Sequence, residues 1–200
     1  MVLDGAMGTM IQRLGFNEKH FKGDSFAQHP CKLQGDNDVL SVTQPDAIAQ
    51  IHRSYLEAGA DIIETNTFNA QAISQADYGM QPYIRQLNLS AARIARTEAD
   101  RMTKLTPDKP RFVAGSIGPT GKTASMSPDV NDPAYRAVSF DQLCSAYQEQ
   151  MEALIEGGVD LLLIETIFDT LNAKAALEAA RLAFATKGRQ LPIMLSVTIA

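Results

Sequence analysis

The chain has 200 residues, 45% hydrophobic and 20% charged, with a formal net charge of −5. This composition predicts one globular domain with a sizeable core, and its acidic balance argues against a nucleic-acid or anionic-membrane partner. No segment approaches the roughly 18 apolar residues of a membrane span, and Met1–Asp4 lacks the basic and apolar regions of a secretory leader. Cys31 and Cys144 make neither a metal pattern nor a disulfide framework, so a reducing, cytoplasmic setting is the expectation.

Val2-Leu3-Asp4-Gly5-Ala6-Met7-Gly8 reads as a short strand running into a glycine turn. Little precedes that strand, so a longer polypeptide is expected. Residues 11–44 show no single period, and they carry scattered aromatics and glycines. A loop that long is usually functional or a wrapped extension. Asp36-Asn37-Asp38 within it lacks the remaining ligands of a calcium loop. Thr43 or Gln44 starts a helix with Pro45 in its first turn; it carries Ile48, Ile51, Tyr55 and Leu56 at helical spacing and stops at Ala58-Gly59. Asp61–Phe68 is a strand that turns polar at Glu64, Asn66 and Thr67. A long amphipathic helix is predicted over 83–105, then a strand over 112–120 that runs into Gly118, Pro119 and Thr120. Residues 119–139 are irregular. A helix from Phe140 stops at Gly157-Gly158. The run Asp160-Leu161-Leu162-Leu163-Ile164-Glu165-Thr166 follows, and its aliphatics suit a strand covered on both faces. Asp169 or Thr170 caps an alanine-rich helix to about Lys187, Gly188 stops it, and residues 192–199 form the last strand.

The alternation implies right-handed βαβ units and a parallel sheet. It also repeats itself. Gly59-Ala60-Asp61-Ile62-Ile63-Glu64-Thr65 echoes Gly158-Val159-Asp160-Leu161-Leu162-Leu163-Ile164-Glu165-Thr166. The second strand is two residues longer, which keeps both Glu side chains on one face. Ligands bind at the carboxyl ends of parallel strands. Those ends offer Asp4, Asn66 with Thr67, Ser116, Glu165 and Thr198. No Gly-x-Gly-x-x-Gly turn marks a doubly wound dinucleotide fold. The fold class is therefore read as α/β, with the first five strands of an incomplete (βα)8 TIM barrel spanning residues 1–200.

Leu3-Asp4-Gly5-Ala6-Met7-Gly8-Thr9, Gly59–Phe68, Gly115–Thr120 and Leu163–Thr166 resemble the homocysteine-binding domain of homocysteine S-methyltransferases. Ser127–Pro133 and Phe168–Lys174 extend the likeness towards the cobalamin-dependent methionine synthases. The resemblance implies a (βα)8 barrel that activates the homocysteine thiol on a zinc ion held by three cysteines. It places those cysteines beyond residue 200, so no metal ligand and no catalytic residue is expected in this chain. It implies methylcobalamin as donor, remethylated from methyltetrahydrofolate, with cobalamin-binding and folate-binding domains in the same polypeptide. It assigns the substrate ammonium to Glu165 and to Asp4 with Gly5, and it makes Asn66 and Thr67 pocket lining. The fragment alone is expected to be inactive. Two other readings stay open: a non-catalytic α/β binding module, and a different barrel enzyme using Glu64 and Glu165 as acid and base.

Overall fold

The computed structural model describes residues 1–199. Its N-terminal segment corrects the expectation of one long irregular loop. Helices α1 (Met7–Arg13), α2 (Glu18–Lys22) and α3 (Leu40–Thr43) and a 3-10 turn at Asn37–Val39 occupy it. Ile11, Phe21, Phe26, Leu33, Val39 and Leu40 share a small core there with Ile48 and Ile51. The apolar residues are too unevenly spaced to announce any one helix, yet they suffice to fill a core between several short ones. The Glu18 carboxylate pins the turn by accepting N–H bonds from Leu33 (2.9 Å) and Gln34 (2.7 Å).

Beyond this lobe the α/β alternation holds. Helix α4 (Pro45–Glu57) begins on a proline, whose fixed φ suits the first turn. Strand β1 (Ile62–Glu64) follows, then a short helix α5 (Ala72–Gln75) and the long α6 (Ile84–Leu105). Strand β2 is Phe112–Ile117, and α7 is Phe140–Gly157. Ser139 and Gln142 close a capping box at its start. Strand β3 is Leu161–Ile167, and α8 (Thr170–Lys187) is capped by the Asp169 carboxylate. Strand β4 is Ile193–Val197. The two echoed glycines perform the same turn, with Gly59 at φ +110° and Gly158 at φ +95°, where a side chain is disfavoured.

The strands lie side by side in chain order, each pair parallel. A doubly wound sheet reverses its order at a switch point, whereas a barrel wall advances one strand per crossover. The observed order has no such reversal among the described residues and is consistent with part of a barrel wall. Four strands are present where five were expected. The first is reduced to one bridge between Leu3 and Ile62. Backbone bonds flank that bridge, from Asp61 N–H (2.8 Å) and Ile62 N–H (3.1 Å) to the Val2 carbonyl, and from Asp4 N–H to Ile62 (2.9 Å). Val2, Leu3 and Asp4 make that pairing before the chain turns at Gly5.

Strand parity sorts the sheet into two faces. Ile63, Val113, Ile117, Leu162 and Ile164 pack against the helices in the main core. Ala175, Ala176, Ala179, Ala180 and Ala183 are fully buried there, so α8 lies close to its neighbours. The opposite face carries a smaller cluster, Ile62, Ala114, Leu161 and Leu163, with Leu3 and Phe112 against it. The registers Glu64↔Ala114, Ala114↔Leu161 and Ser116↔Leu163 put Glu64, Ser116 and Glu165 on this second face, just past its apolar layer.

Candidate functional site

The carboxyl ends of β1, β2 and β3 open into a cavity of about 400 Å³. The residues expected there, Asp4, Gly5, Asn66, Thr67 and Glu165, all border it. Glu64, Ser116, Asn37 and Asp38 border it as well. Its described lining contains no lysine, arginine or histidine. A larger depression of about 600 Å³ lies on the helix side, against Ile73, Lys122, Val138 and Asp141. It touches none of the strand-end residues.

Each position follows from the local fold. Asp4 sits where the first strand gives out, and its carboxylate accepts the Glu64 N–H at 3.1–3.2 Å. A side chain thus continues the ladder that the short strand cannot. Gly5 lets the turn pass Tyr55: a Cβ there would meet the tyrosine ring at 3.1 Å. The Ser116 hydroxyl donates to Glu165 Oε1 at 2.5 Å. Thr67 and Asn66 line the cavity but spend their donors on bracing. The Thr67 hydroxyl donates to the Ser116 carbonyl (2.7 Å). The Asn66 amide donates to the Asn37 carbonyl (2.7 Å) and Ser41 Oγ (3.2 Å), holding the N-terminal lobe over the cavity. Just past Glu165, Thr166 has φ +58° within a bulge between β3 and β4. A β-branched residue is strained in that region, and such strain gathers at ligand sites.

Burial shapes the electrostatics. It is the main reason that Asp4 is raised to about 7, against the hydrogen bonds from backbone N–H groups. Glu64 is raised to about 8, first by burial and then by the charges of Glu165 and Asp4. The neighbouring Glu165 carboxylate favours the protonated form of Glu64. Glu165 is itself raised by burial, although Ser116 and Glu64 stabilise its ionised form. Asp38 is held well above the carboxylate range by burial and by the charge of Asp36. An acidic cavity that keeps protons at neutral pH is one in need of a cation.

Reading the strand ends found Asp4, Asn66, Thr67 and Glu165. It left Glu64 as one half of an acid/base pair and dismissed Asp38 with the calcium pattern. The signal for Glu64 was present in the echo, where it holds the place that Glu165 holds in β3. Nothing local announced Asp38, which reaches the cavity only because the N-terminal lobe folds over it.

These residues do not fit a zinc site. Among the described residues, no group of three His, Cys, Asp or Glu side chains could hold a metal ion. Cys144 is buried in the main core, and burial pushes its thiol up. Cys31 lies in the N-terminal lobe beside Gly79, away from the strand ends.

A family profile described as Homocysteine S-methyltransferase matches residues 1–200. Solved structures with a similar fold include the homocysteine methyltransferase MmuM from Escherichia coli. Its apo form is 22% identical with a TM-score of 0.66, over 100% of this chain and 59% of that one. Its metallated form is 24% identical with a TM-score of 0.68, over 95% and 60%. Its oxidized form is also 24% identical, with a TM-score of 0.69 over 95% and 59%. The chain thus spans about three fifths of the length of these structures, and at this identity the likeness is one of fold.

Proposed function

The chain belongs to the homocysteine S-methyltransferase family, and from that premise we propose that its strand-end cavity binds the amino-acid end of homocysteine. The observation that carries this is the acidic lining. Asp4, Glu64, Glu165 and Asp38 meet in one cavity whose described lining has no cationic side chain. An ammonium supplies the missing charge and three N–H donors, and a desolvated carboxylate gains more from it than an exposed one. Glu165 is the central partner, held in place by the Ser116 hydroxyl. Asp4 is the second acidic contact, the Gly5 turn brings backbone alongside, and Asn66 and Thr67 shape the wall.

The finer reading is a methionine synthase, supported by the strand-end motifs and by the Ser127–Pro133 and Phe168–Lys174 segments. On this reading residues 1–200 are the first part of the barrel domain. Strands six to eight and the zinc cysteines lie beyond residue 200. Methylcobalamin and methyltetrahydrofolate sit on the cobalamin-binding and folate-binding domains of the same polypeptide, and the setting is cytoplasmic. The 200 residues alone would be inactive, since they bind one end of the substrate and do not hold its thiol.

The acid/base alternative needs two carboxyl groups about 5–9.5 Å apart around a scissile bond. Glu64 and Glu165 instead border one acidic cavity, where the charge of Glu165 favours the protonated form of Glu64. A purely non-catalytic module has nothing comparable in its favour. The test is Glu165→Gln in the full-length protein. Removing one partner of a buried charge pair costs a few kcal/mol, so homocysteine affinity should fall by roughly one to three orders of magnitude. Zinc content should stay unchanged. Unaltered affinity would make Glu165 a structural residue.

A further inference from the structure

The ammonium reading accounts for Glu165 and Asp4 but leaves a third carboxyl group unused. Glu64 closes β1 on the same face as Glu165, one strand away across Ser116. It points into the same cavity, faces Asp4 on the N-terminal bridge and Glu165 on β3, and has Asp38 on the 3-10 turn across the space. No basic side chain faces it from the described lining. We propose that Glu64 is a proton-exchanging member of the ammonium subsite: it holds a proton while the site is empty and yields it to solvent when an ammonium enters. The proposal rests on the amino-acid reading of the cavity and adds a role for a residue that reading does not need.

The argument is one of donors and acceptors. In the empty site Glu165 accepts from the Ser116 hydroxyl, and the Glu64 carboxyl on the same cavity is the next donor at hand. An incoming ammonium brings three N–H donors to the same oxygens. The Glu64 O–H and the ammonium N–H then compete for Glu165. Once Glu64 is displaced as a donor, its neutral carboxyl offers the ammonium only a carbonyl acceptor, whereas the carboxylate pairs with the positive charge, so ammonium binding favours its ionisation. The balance is simple: the protonated Glu64 side chain and a substrate ammonium become a carboxylate–ammonium pair, and one proton passes to the buffer. No oxidant or other reactant is needed. The empty-site protonation agrees with the direction in which burial and the neighbouring carboxylates move Glu64. One consequence is that net charge in the cavity changes little on binding, so a cationic head group is accepted without leaving several carboxylates desolvated and unpaired.

The test uses the full-length protein and L-methionine, a thioether that carries the ammonium but has no thiol proton to lose. Titration calorimetry in buffers of different ionisation enthalpy counts protons released. In the wild type, affinity should rise by up to about tenfold per pH unit between about pH 6 and 8 and then flatten. Glu64→Gln should release about one proton fewer than wild type and lose that rise. Equal proton counts in the two proteins, or wild-type affinity that is flat with pH, would overturn the proposal. Should Glu64→Gln fail to fold, Asp4→Asn serves instead: continued release there supports Glu64, and its disappearance assigns the proton to Asp4. Failure of the wild type to bind methionine at any pH would overturn the ammonium reading itself, an outcome distinct from binding without proton exchange.

Discussion

A buried histidine shows how one residue can tie the fold to pH. His52 on α4 is fully buried, and neither ring nitrogen has a hydrogen-bond partner among the described residues. Burial pushes it from 6.5 down to about 4, only partly opposed by the charge of Glu98. The unfolded chain therefore binds this proton more readily than the folded one. Stability from this source is intact above about pH 6.5 and falls as pH drops towards about 4. The loss approaches about 3 kcal/mol at the acid end, taking ~1.4 kcal/mol per pH unit. His52→Leu should remove that acid-limb loss and raise stability at neutral pH, as read by urea unfolding at two pH values. An acid limb unchanged by the substitution would place the titration elsewhere. The strand-end carboxyl groups have the opposite sign. Asp4 and Glu64 bind protons more tightly folded than unfolded, so their contribution declines as pH rises from about 4 to about 8. The site is therefore held together at some cost to the fold, which a cationic ligand would return.

At the scale of elements, β3 carries next to its last position a residue whose side chain disfavours its backbone conformation. Thr166 occupies the left-handed region at φ +58°, inside the bulge that follows Ile164. Such a conformation costs a β-branched residue about 1–3 kcal/mol. Thr166→Gly should therefore stabilise the fold by up to about 1 kcal/mol after the entropy of the unfolded glycine is subtracted. The bulge also aims Glu165, so homocysteine binding should weaken in the same variant. A gain in melting temperature with unchanged affinity would show that the strain serves the turn alone. The bulge was not legible in the sequence, since nothing in Ile164-Glu165-Thr166-Ile167 distinguishes a strand that continues from one that kinks. What was legible had a repeating physical cause. The helices α4, α6 and α7 announce themselves through a 3.6-residue apolar period and α8 through its alanine content, with Pro45, Asp169 and Gly188 marking ends. The strands show as aliphatic runs after Gly59 and Gly158. The N-terminal lobe was missed because its core is built from single apolar residues on several short helices, and its order appears only in three dimensions. The first strand was overstated: Val2 and Leu3 have strand chemistry, but their pairing is a single bridge to Ile62.

At the scale of the molecule, the sheet has one face closed by helices and one that is apolar below and acidic above. That division comes from strand parity and places the candidate site without any long-range signal. Asp4, Asn66, Thr67 and Glu165 were found because the ends of parallel strands converge. Glu64 needed the comparison of two echoed strands, and Asp38 needed the tertiary fold. Strand β4 leaves its aliphatics partly open, with Leu195 48% and Val197 59% exposed. An apolar edge of this kind is a surface for pairing. On the proposed reading the next strands of the barrel cover it, and the thiol end of the substrate is handled on that side.

The central claim is that this acidic cavity recognises an ammonium group, and deleting that group from the ligand tests it most directly. Affinities of homocysteine and of its des-amino analogue should be compared in the full-length wild type and in Glu165→Gln. The account predicts that the analogue binds the wild type about 30-fold or more weakly than homocysteine, and that most of this gap closes in the variant. Equal affinities in the wild type, or a gap untouched by Glu165→Gln, would contradict it.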